Sequence, residues 1–222
     1  MERSTKSRLT EKQAAEFSGD TLFEKIARAV CAAGVLPAKE LYEAWETARR
    51  IRRKYRGGRI LDMAGGHGLL AHVLLLLDDT SEEALVVDTN IPKNAKQLSD
   101  AVIRAWPRLS GRIRYMETPM EEIAVFPEDI VVSIHACGTL TDTVLAMAVA
   151  ARARVAVLPC CHDLGRSDTG GLKGWVNGPL AVDVMRSAWL RQQVYTIVTQ
   201  TIPADITPKN RLLMGHPKER AL

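Results

Sequence analysis

The 222-residue sequence is poor in aromatic side chains, in cysteine and in net charge. Its 30 basic and 26 acidic residues give a formal charge of +4, which does not by itself require a nucleic-acid partner. The longest apolar run, residues 69–77, contains a histidine and is too short to cross a bilayer. The amino terminus is polar and charged, unlike a secretory signal. With only four cysteines, these absences predict a cytoplasmic protein with reduced thiols and no membrane association.

What the sequence does contain is an alternation of short apolar strands with helices. Apolar runs predict strands at 59–64, 84–88, 112–116, 129–134 and 154–159, and helical patterns predict helices at 68–77, 92–106, 140–152 and 180–192. Two further strands, 194–201 and 211–215, follow each other without a helix between them. This order predicts an α/β fold, with a mostly parallel sheet, helices on both faces and an antiparallel carboxyl-terminal hairpin.

The first 56 residues precede this alternation. Apolar residues recur at helical spacing in two stretches between residues 20 and 55, which Gly34 and Pro37 separate. We therefore predict a helical amino-terminal extension over residues 1–56 and an α/β domain over residues 57–222.

The stretch from Arg59 to Leu70 is the most informative part of the sequence. An apolar strand enters a turn of small residues, Asp62-Met-Ala-Gly-Gly-His-Gly68, and an apolar helix follows. Such a turn brings bare backbone and a helix amino terminus close to a nucleotide-like ligand. Asp88 ends the next apolar run, where a carboxylate accepts both hydroxyls of a ribose. Two carboxylates around a glycine turn favour a ligand with hydroxyls and a cationic amine over one with a pyrophosphate.

The spacing Asp62-x-Ala64-x-Gly66-x-Gly68 resembles the cofactor loop of class I S-adenosylmethionine-dependent methyltransferases, with Ala64 in place of the usual first glycine. The resemblance implies a Rossmann-like methyltransferase domain and S-adenosylmethionine as cofactor. Asp62 would receive the cofactor ammonium, and the loop after the third strand would line the adenine. A turn that only packs a helix on a strand is the alternative. The predicted cofactor-binding residues are Asp62, Ala64, Gly65, Gly66, Gly68, Asp88, Thr89, Thr118, Pro119, Met120, His135 and Ala136.

The fourth and fifth strands end in polar motifs, His135-Ala-Cys-Gly-Thr-Leu-Thr-Asp142 and Pro159-Cys-Cys-His162. Both ends belong to the ligand-binding edge of the sheet, so these side chains should converge near the transferable methyl group. Together the motifs resemble those of a group of tRNA 2′-O-methyltransferases, and of related domains found beside glutathione-transferase-like modules. The zinc-finger module of the former is missing. The Asn/Asp-Pro-Pro-aromatic signature of amino-methyltransferases is also missing. Its absence favours an oxygen or sulfur acceptor.

Methyl transfer to a hydroxyl requires an aligned acceptor and a group that removes its proton. His135 and His162 are the candidate bases, because imidazole titrates near neutral pH. Asp142 is predicted either to orient one of these histidines or to cap the helix that starts at Leu140. The predicted catalytic residues are thus His135, Asp142 and His162.

The thiols allow three interpretations. They are buried structural groups, a metal site formed with His162, or part of the acceptor pocket. Neighbouring strand residues point to opposite faces, so metal ligation by both Cys160 and Cys161 requires a bend. We favour the acceptor pocket and predict no metal. The predicted substrate-binding residues are Cys137, Cys160, Cys161, Trp175, Lys209 and Arg211. Trp175 belongs to a loop that is either a lid over the substrate or a plain connector. Lys209 and Arg211 would bind an anionic substrate.

A basic segment leads into the first strand, with seven Lys or Arg among residues 49–59. Positive charge is favourable at a helix carboxyl terminus, so a solvated face is one interpretation. The other is a phosphate-binding patch for RNA, tRNA included. We predict RNA as the leading partner and a small-molecule acceptor as the alternative. A non-catalytic cofactor-binding protein and a nicotinamide oxidoreductase are further rivals, and the sequence indicates no oligomeric state.

Overall fold

The structure is a computed structural model that describes residues 2–218. Helices and strands alternate in the predicted order. The helices are α1 Leu22–Ala33, α2 Ala38–Lys54, α3 Leu69–Leu77, α4 Ala95–Ala105, α5 Leu140–Ala151 and α6 Gly178–Gln192. The strands are β1 Ile60–Met63, β2 Ala84–Asp88, β3 Ile113–Glu117, β4 Ile130–Ser133, β5 Arg154–Val157, β6 Tyr195–Thr201 and β7 Arg211–Pro217. A single 3₁₀ turn, Met120–Glu122, follows β3.

The strands form one sheet in the order β3-β2-β1-β4-β5-β7-β6. Strands β1 to β5 are parallel to their neighbours, whereas β7 is antiparallel to both β5 and β6. The predicted parallel sheet with an antiparallel hairpin is therefore confirmed. The chain reverses its winding between β1 and β4, and ligands of open α/β sheets bind beyond the strand ends at such a switch point.

Alternate residues of the strands face two separate cores, as the two-residue period of a strand requires. On one face Ile60 and Val86 pack with α1 to α4. On the other face Leu61 and Val87 pack with α5 and α6. Both faces are covered by helices, so β1 is buried along its whole length and β2 up to its last residue.

The amino-terminal helices belong to the first of these cores. A capping box of Thr21 and Glu24 starts α1, and Gly34 ends it in the left-handed conformation. Helix α2 packs along α3 and buries Arg52, which donates to the carbonyl of Leu74 at 3.1 Å. Because α2 lies against α3, its first turns reach the same sheet edge as the glycine turn.

Candidate functional site

A cavity of about 380 Å³ opens at the carboxyl ends of β1 and β2, within the size range of small-ligand sites. The glycine turn, Asp62 and Asp88 line one side, and Ile134, His135 and Leu140 line another. The third side comes from the amino-terminal part of the chain. Leu36, Glu40 and Ala44 line it there. No Lys or Arg is among the described residues that line this cavity, whereas three carboxylates are, so its lining favours a cationic ligand.

Asp62 is buried beneath the cavity and has one free oxygen. Its Oδ2 accepts a hydrogen bond from the backbone N–H of Ala71 at 3.2 Å, while Oδ1 has no partner among the described residues. Burial, with a smaller contribution from the charge of Asp88, raises the pKa of Asp62 to about 7. A buried oxygen without a partner is costly in an isolated protein. A donor on a bound ligand would satisfy it.

The glycines of the turn have two different roles. A Cβ on Gly65 or Gly68 would lie 2.8 Å or 2.7 Å from a methyl group of Val86, so these glycines allow the turn to pack on β2. Gly66 has a φ of 52° and open space where a Cβ would lie. Its backbone is therefore the part of the turn that a ligand approaches. Ala64 takes the strained left-handed conformation itself, at a φ of 54°.

Asp88 ends β2, and its carboxylate is hydrogen-bonded to the backbone of the glycine turn. Its Oδ2 accepts from the N–H of Gly66 at 3.1 Å, and its Oδ1 accepts from the N–H of Asn90 at 3.1 Å. A carboxylate has about four acceptor positions, so two remain for ligand hydroxyls.

The other predicted cofactor contacts lie outside the lining of this cavity. Thr118 donates its N–H to the carbonyl of Asp88 at 3.0 Å, and its hydroxyl donates to the carboxylate of Glu122. Met120 and Ala136 are buried in the core under α5. Thr89 and Pro119 are not among the residues that line the cavity.

Glu40 faces the predicted base across the cavity and was not among the predicted site residues. Burial raises the pKa of Glu40, and the charge of His135 opposes part of that rise. His135 is half-buried and follows β4 directly. The pair therefore joins the first turn of α2 electrostatically to the loop after β4.

His162 is held away from the cavity by a buried network. Its Nε2 lies 2.7 Å from Oδ1 of Asp183, whose Oδ2 accepts from Nε of Arg211 at 2.6 Å. Arg186 contacts Asp183 at 3.6 Å and donates to both carboxylate oxygens of Asp142. Asp142 therefore neither caps α5, where Thr139 holds the cap position, nor contacts a histidine. Both predicted roles of Asp142 are replaced by its ion pair with Arg186.

The three predicted thiols do converge. Sγ of Cys137 lies 3.0 Å from Sγ of Cys160, and all three sulfurs lie within 4.8 Å of one another. Lys209 extends to this cluster, with Nζ 3.6 Å from Sγ of Cys161. A hydrogen bond from Cys137, followed by weaker effects that include the Lys209 charge, lowers the pKa of Cys161. Burial raises the pKa of Cys160.

A second cavity, of about 460 Å³, lies between α5, α6 and the loop 166–168. Thr139 lines this cavity and Leu140 lines the first, so the two flank the same turn. Two of its lining residues have buried polar atoms without a hydrogen-bond partner among the described residues, Nη1 of Arg186 and Oγ of Ser167. Trp175 is 89% exposed and contacts neither cavity.

The basic segment is largely neutralised within the chain. Arg52 is buried and lies 3.2 Å from the carboxylate of Asp78. Arg59 contacts Asp129 through two hydrogen bonds. Further partners account for Arg49 and Arg50, which pair with Glu46, and for Arg56, which pairs with Asp78. Arg53 and Lys54 are exposed.

These ion pairs stand at the edge of the sheet opposite the cavity. Arg59 immediately precedes β1, and its partner Asp129 immediately precedes β4. The cavity lies beyond the other ends of the same strands. The ion pair of Arg59 with Asp129 therefore joins the amino ends of β1 and β4, at the opposite ends of these strands from the glycine turn.

Comparison with known proteins identifies the domain. A family model described as a methyltransferase domain matches residues 38–166, more than half of the chain. No curated protein matches. No helix within residues 2–218 combines the length and apolarity that a membrane crossing requires.

Solved structures with the same fold include an O-methyltransferase family protein from Burkholderia thailandensis, with a TM-score of 0.52 and 13% identity over 94% of this chain. Another is the S-adenosylmethionine-dependent methyltransferase SibL, with a TM-score of 0.54 and 17% identity over 96% of this chain. A third is mitomycin 7-O-methyltransferase, with a TM-score of 0.51 and 14% identity over 92% of this chain. The chain spans 64%, 66% and 60% of their respective lengths.

These likenesses confirm the class I methyltransferase fold that the glycine turn predicted. The match to the family model covers the turn, both carboxylates, His135 and the three clustered thiols. We conclude that the chain belongs to the methyltransferase domain family.

Proposed function

We propose that this chain transfers the methyl group of S-adenosylmethionine to an oxygen of a small-molecule acceptor, with His135 as the base. The observation that carries the proposal is one cavity that combines the unpartnered oxygen of Asp62, the open backbone of Gly66 and the imidazole of His135. The cofactor supplies an electrophilic methyl group on a sulfonium. The chain's own residues must bind it, orient the acceptor and remove a proton.

The residues present fit this cofactor. Its ammonium is a donor for the free Oδ1 of Asp62, and its ribose hydroxyls are donors for the remaining positions on Asp88. Glu40 adds a third carboxylate to a lining without Lys or Arg, which suits a ligand with two positive centres. A pyrophosphate would meet repulsion from the same three carboxylates, which disfavours a nicotinamide dinucleotide.

His135 is a better candidate for the base than His162. It lines the cavity together with Glu40, so its imidazole is within the same space as the proposed cofactor site. His162 has a side chain only 3% exposed and already bonds Asp183. We propose His162, with Asp142 and Arg186, as a support for the loop after β5.

The second cavity, beside the turn at Thr139 and Leu140, favours a small-molecule acceptor. Its lining mixes apolar side chains with two polar atoms that have no hydrogen-bond partner among the described residues, Nη1 of Arg186 and Oγ of Ser167. Such a lining suits a small molecule with an anionic or hydroxylated part. The basic segment, in contrast, stands at the far edge with most of its charges already paired.

RNA is the second candidate acceptor, and a specific observation favours it. The paired motifs at residues 135–142 and 159–162 resemble those of tRNA 2′-O-methyltransferases. Lys209 at the thiol cluster, and exposed Arg53 and Lys54, are among the cations available to phosphates. If RNA is the acceptor, Lys209→Gln should weaken tRNA retention and flatten its salt dependence. Lys12→Gln is the matched surface control.

The test is methyl-labelled S-adenosylmethionine incubated with cell extract, which is then separated into RNA, protein and small-molecule fractions. We expect label in the small-molecule fraction, and a loss of about 10²- to 10⁴-fold in turnover for His135→Gln at unchanged cofactor affinity. His216→Gln, on β7, is the matched control and should retain full turnover. Label confined to RNA would transfer the proposal to the second candidate. Full turnover of His135→Gln would remove His135 as the base.

A further inference from the structure

The three thiols at the end of β4 and β5 form a cluster that methyl transfer does not use. Sγ of Cys137 and Sγ of Cys160 lie 3.0 Å apart, and Sγ of Cys161 lies within 4.8 Å of both. Thiolates are preferred ligands of zinc. We propose that Cys137, Cys160 and Cys161 bind one zinc ion through three thiolates and leave its fourth position open.

The geometry of the cluster suits a tetrahedral ion. A zinc–sulfur distance of about 2.3 Å requires sulfurs about 3.8 Å apart. The Sγ atoms of Cys137 and Cys160 lie 3.0 Å apart, and no separation in the cluster exceeds 4.8 Å, so all three sulfurs lie within about 1 Å of the tetrahedral spacing.

The backbone provides the bend that adjacent ligands require. Strand β5 ends at Val157, so Cys160 and Cys161 lie in a loop and are not forced to opposite faces. The N–H of Gly138 donates to the carbonyl of Cys161 at 3.1 Å. Gly138 has a φ of 58°, a conformation that glycine tolerates. The two ligand loops are thus joined directly by their backbones.

The charge near the cluster also fits. Three thiolates and a divalent zinc ion leave one net negative charge, and the protons lost on binding pass to solvent. The ammonium of Lys209, 3.6 Å from Sγ of Cys161, offsets that charge. A bound zinc would therefore not leave an isolated negative charge at this edge.

The open position follows from the surroundings of the cluster. Cys137 and Cys161 are exposed. His162, the fourth ligand that the sequence suggested, bonds Asp183 and is not among the described groups that approach the three sulfurs. A water molecule, or a hydroxyl or thiol from solution, would complete the coordination, as in zinc sites with three protein ligands.

Zinc binding can be measured directly on the untagged, fully reduced chain. After incubation with zinc sulfate and gel filtration, we expect one zinc ion per chain by elemental mass spectrometry. Cobalt substitution should give thiolate-to-cobalt charge-transfer absorption. Cys137→Ala, Cys160→Ala and Cys161→Ala should each weaken zinc binding at least about tenfold. Cys31→Ala, which removes the buried thiol of α1, is the matched control and should bind zinc like the wild type.

Thermal melting of each variant would separate loss of a ligand from loss of the fold. Failure of the reduced wild-type chain to retain zinc would overturn the proposal. So would equal zinc content in folded Cys160→Ala and Cys31→Ala. A disulfide between Cys137 and Cys160 in place of zinc, seen as a loss of two hydrogens in the intact mass, would also overturn it. None of these measurements requires methyl transfer, so they are independent of the acceptor.

Discussion

Replacing Asp62 with asparagine should stabilise the ligand-free chain at pH 8 and weaken its binding of S-adenosylmethionine. The carboxyl is buried, and only one of its oxygens has a hydrogen-bond partner, the N–H of Ala71. Asparagine keeps a carbonyl oxygen for that N–H but removes the ionisable group. The substitution therefore isolates the free-energy cost of a buried negative charge at the carboxyl end of β1.

The magnitude follows from the pKa of Asp62, which burial raises from 3.8 to about 7. The folded chain keeps this proton to higher pH than the unfolded chain. The stabilisation from the neutral carboxyl is complete below about pH 3.8 and is lost as the pH rises through about 7. At about 1.4 kcal/mol per pH unit the whole loss is about 4 kcal/mol, of which about 2.5 kcal/mol falls between pH 5 and pH 8.

Urea denaturation of the wild type and Asp62→Asn at pH 5 and pH 8 measures this difference. We expect the variant to gain about 2.5 kcal/mol more stability, relative to the wild type, at pH 8 than at pH 5. All other titrating groups are common to both chains and cancel. Calorimetry at pH 8 should show weaker cofactor binding by the variant. An equal stability difference at both pH values would refute the raised pKa and the buried state of Asp62.

Two further predictions concern packing around the site. Gly68→Ala should lower the free energy of unfolding by about 2–4 kcal/mol, because φ is 74° and the new Cβ would lie 2.7 Å from Val86; an unchanged melting temperature would contradict this. Arg52→Ala should lower the free energy of unfolding by about 3–5 kcal/mol, because it removes the buried partner of the Asp78 carboxylate. Arg53→Ala, at the exposed neighbouring position, should lower it by less than about 0.5 kcal/mol in the same urea titration.

The sheet and the carboxylates were predictable because their signals are local in sequence. The apolar runs that end at Asp62 and Asp88 are short, and each is followed by a helical pattern. That alternation determines a parallel sheet, and the parallel strands bring both carboxylates to one edge. The two closing strands without a helix between them likewise predict the antiparallel hairpin that β6 and β7 form.

The remaining parts of the site depend on contacts between distant residues. Glu40 enters the cavity only because α2 packs on α3, and the helical period of α2 does not specify that neighbour. The basic segment resembles a nucleic-acid patch until Asp78 and Asp129 are found beside Arg52 and Arg59. Charge counts along a sequence do not reveal such partners.

The boundary between a helical extension over residues 1–56 and a methyltransferase domain over residues 57–222 remains a prediction. Glu40 and Ala44 line the cofactor cavity, and the family match starts within the extension, at residue 38. We therefore expect the two parts to fold together, because the core of α1 to α4 would lose two of its four helices without the first part.

Calorimetric titration of the wild type and of Asp88→Asn with S-adenosylmethionine measures whether the cavity binds this cofactor through Asp88. Asparagine retains one acceptor oxygen, so it loses the bond from the N–H of Gly66 or of Asn90 and one charge-assisted hydrogen bond to a ribose hydroxyl, the latter worth about 1.5–3 kcal/mol. We predict saturable binding by the wild type, about 10- to 150-fold weaker binding by Asp88→Asn, and unchanged binding by Glu117→Gln, which alters the register partner of Asp88 on β3. Equal affinity of all three chains, or heat only with a nicotinamide dinucleotide, would rule out S-adenosylmethionine binding through Asp88.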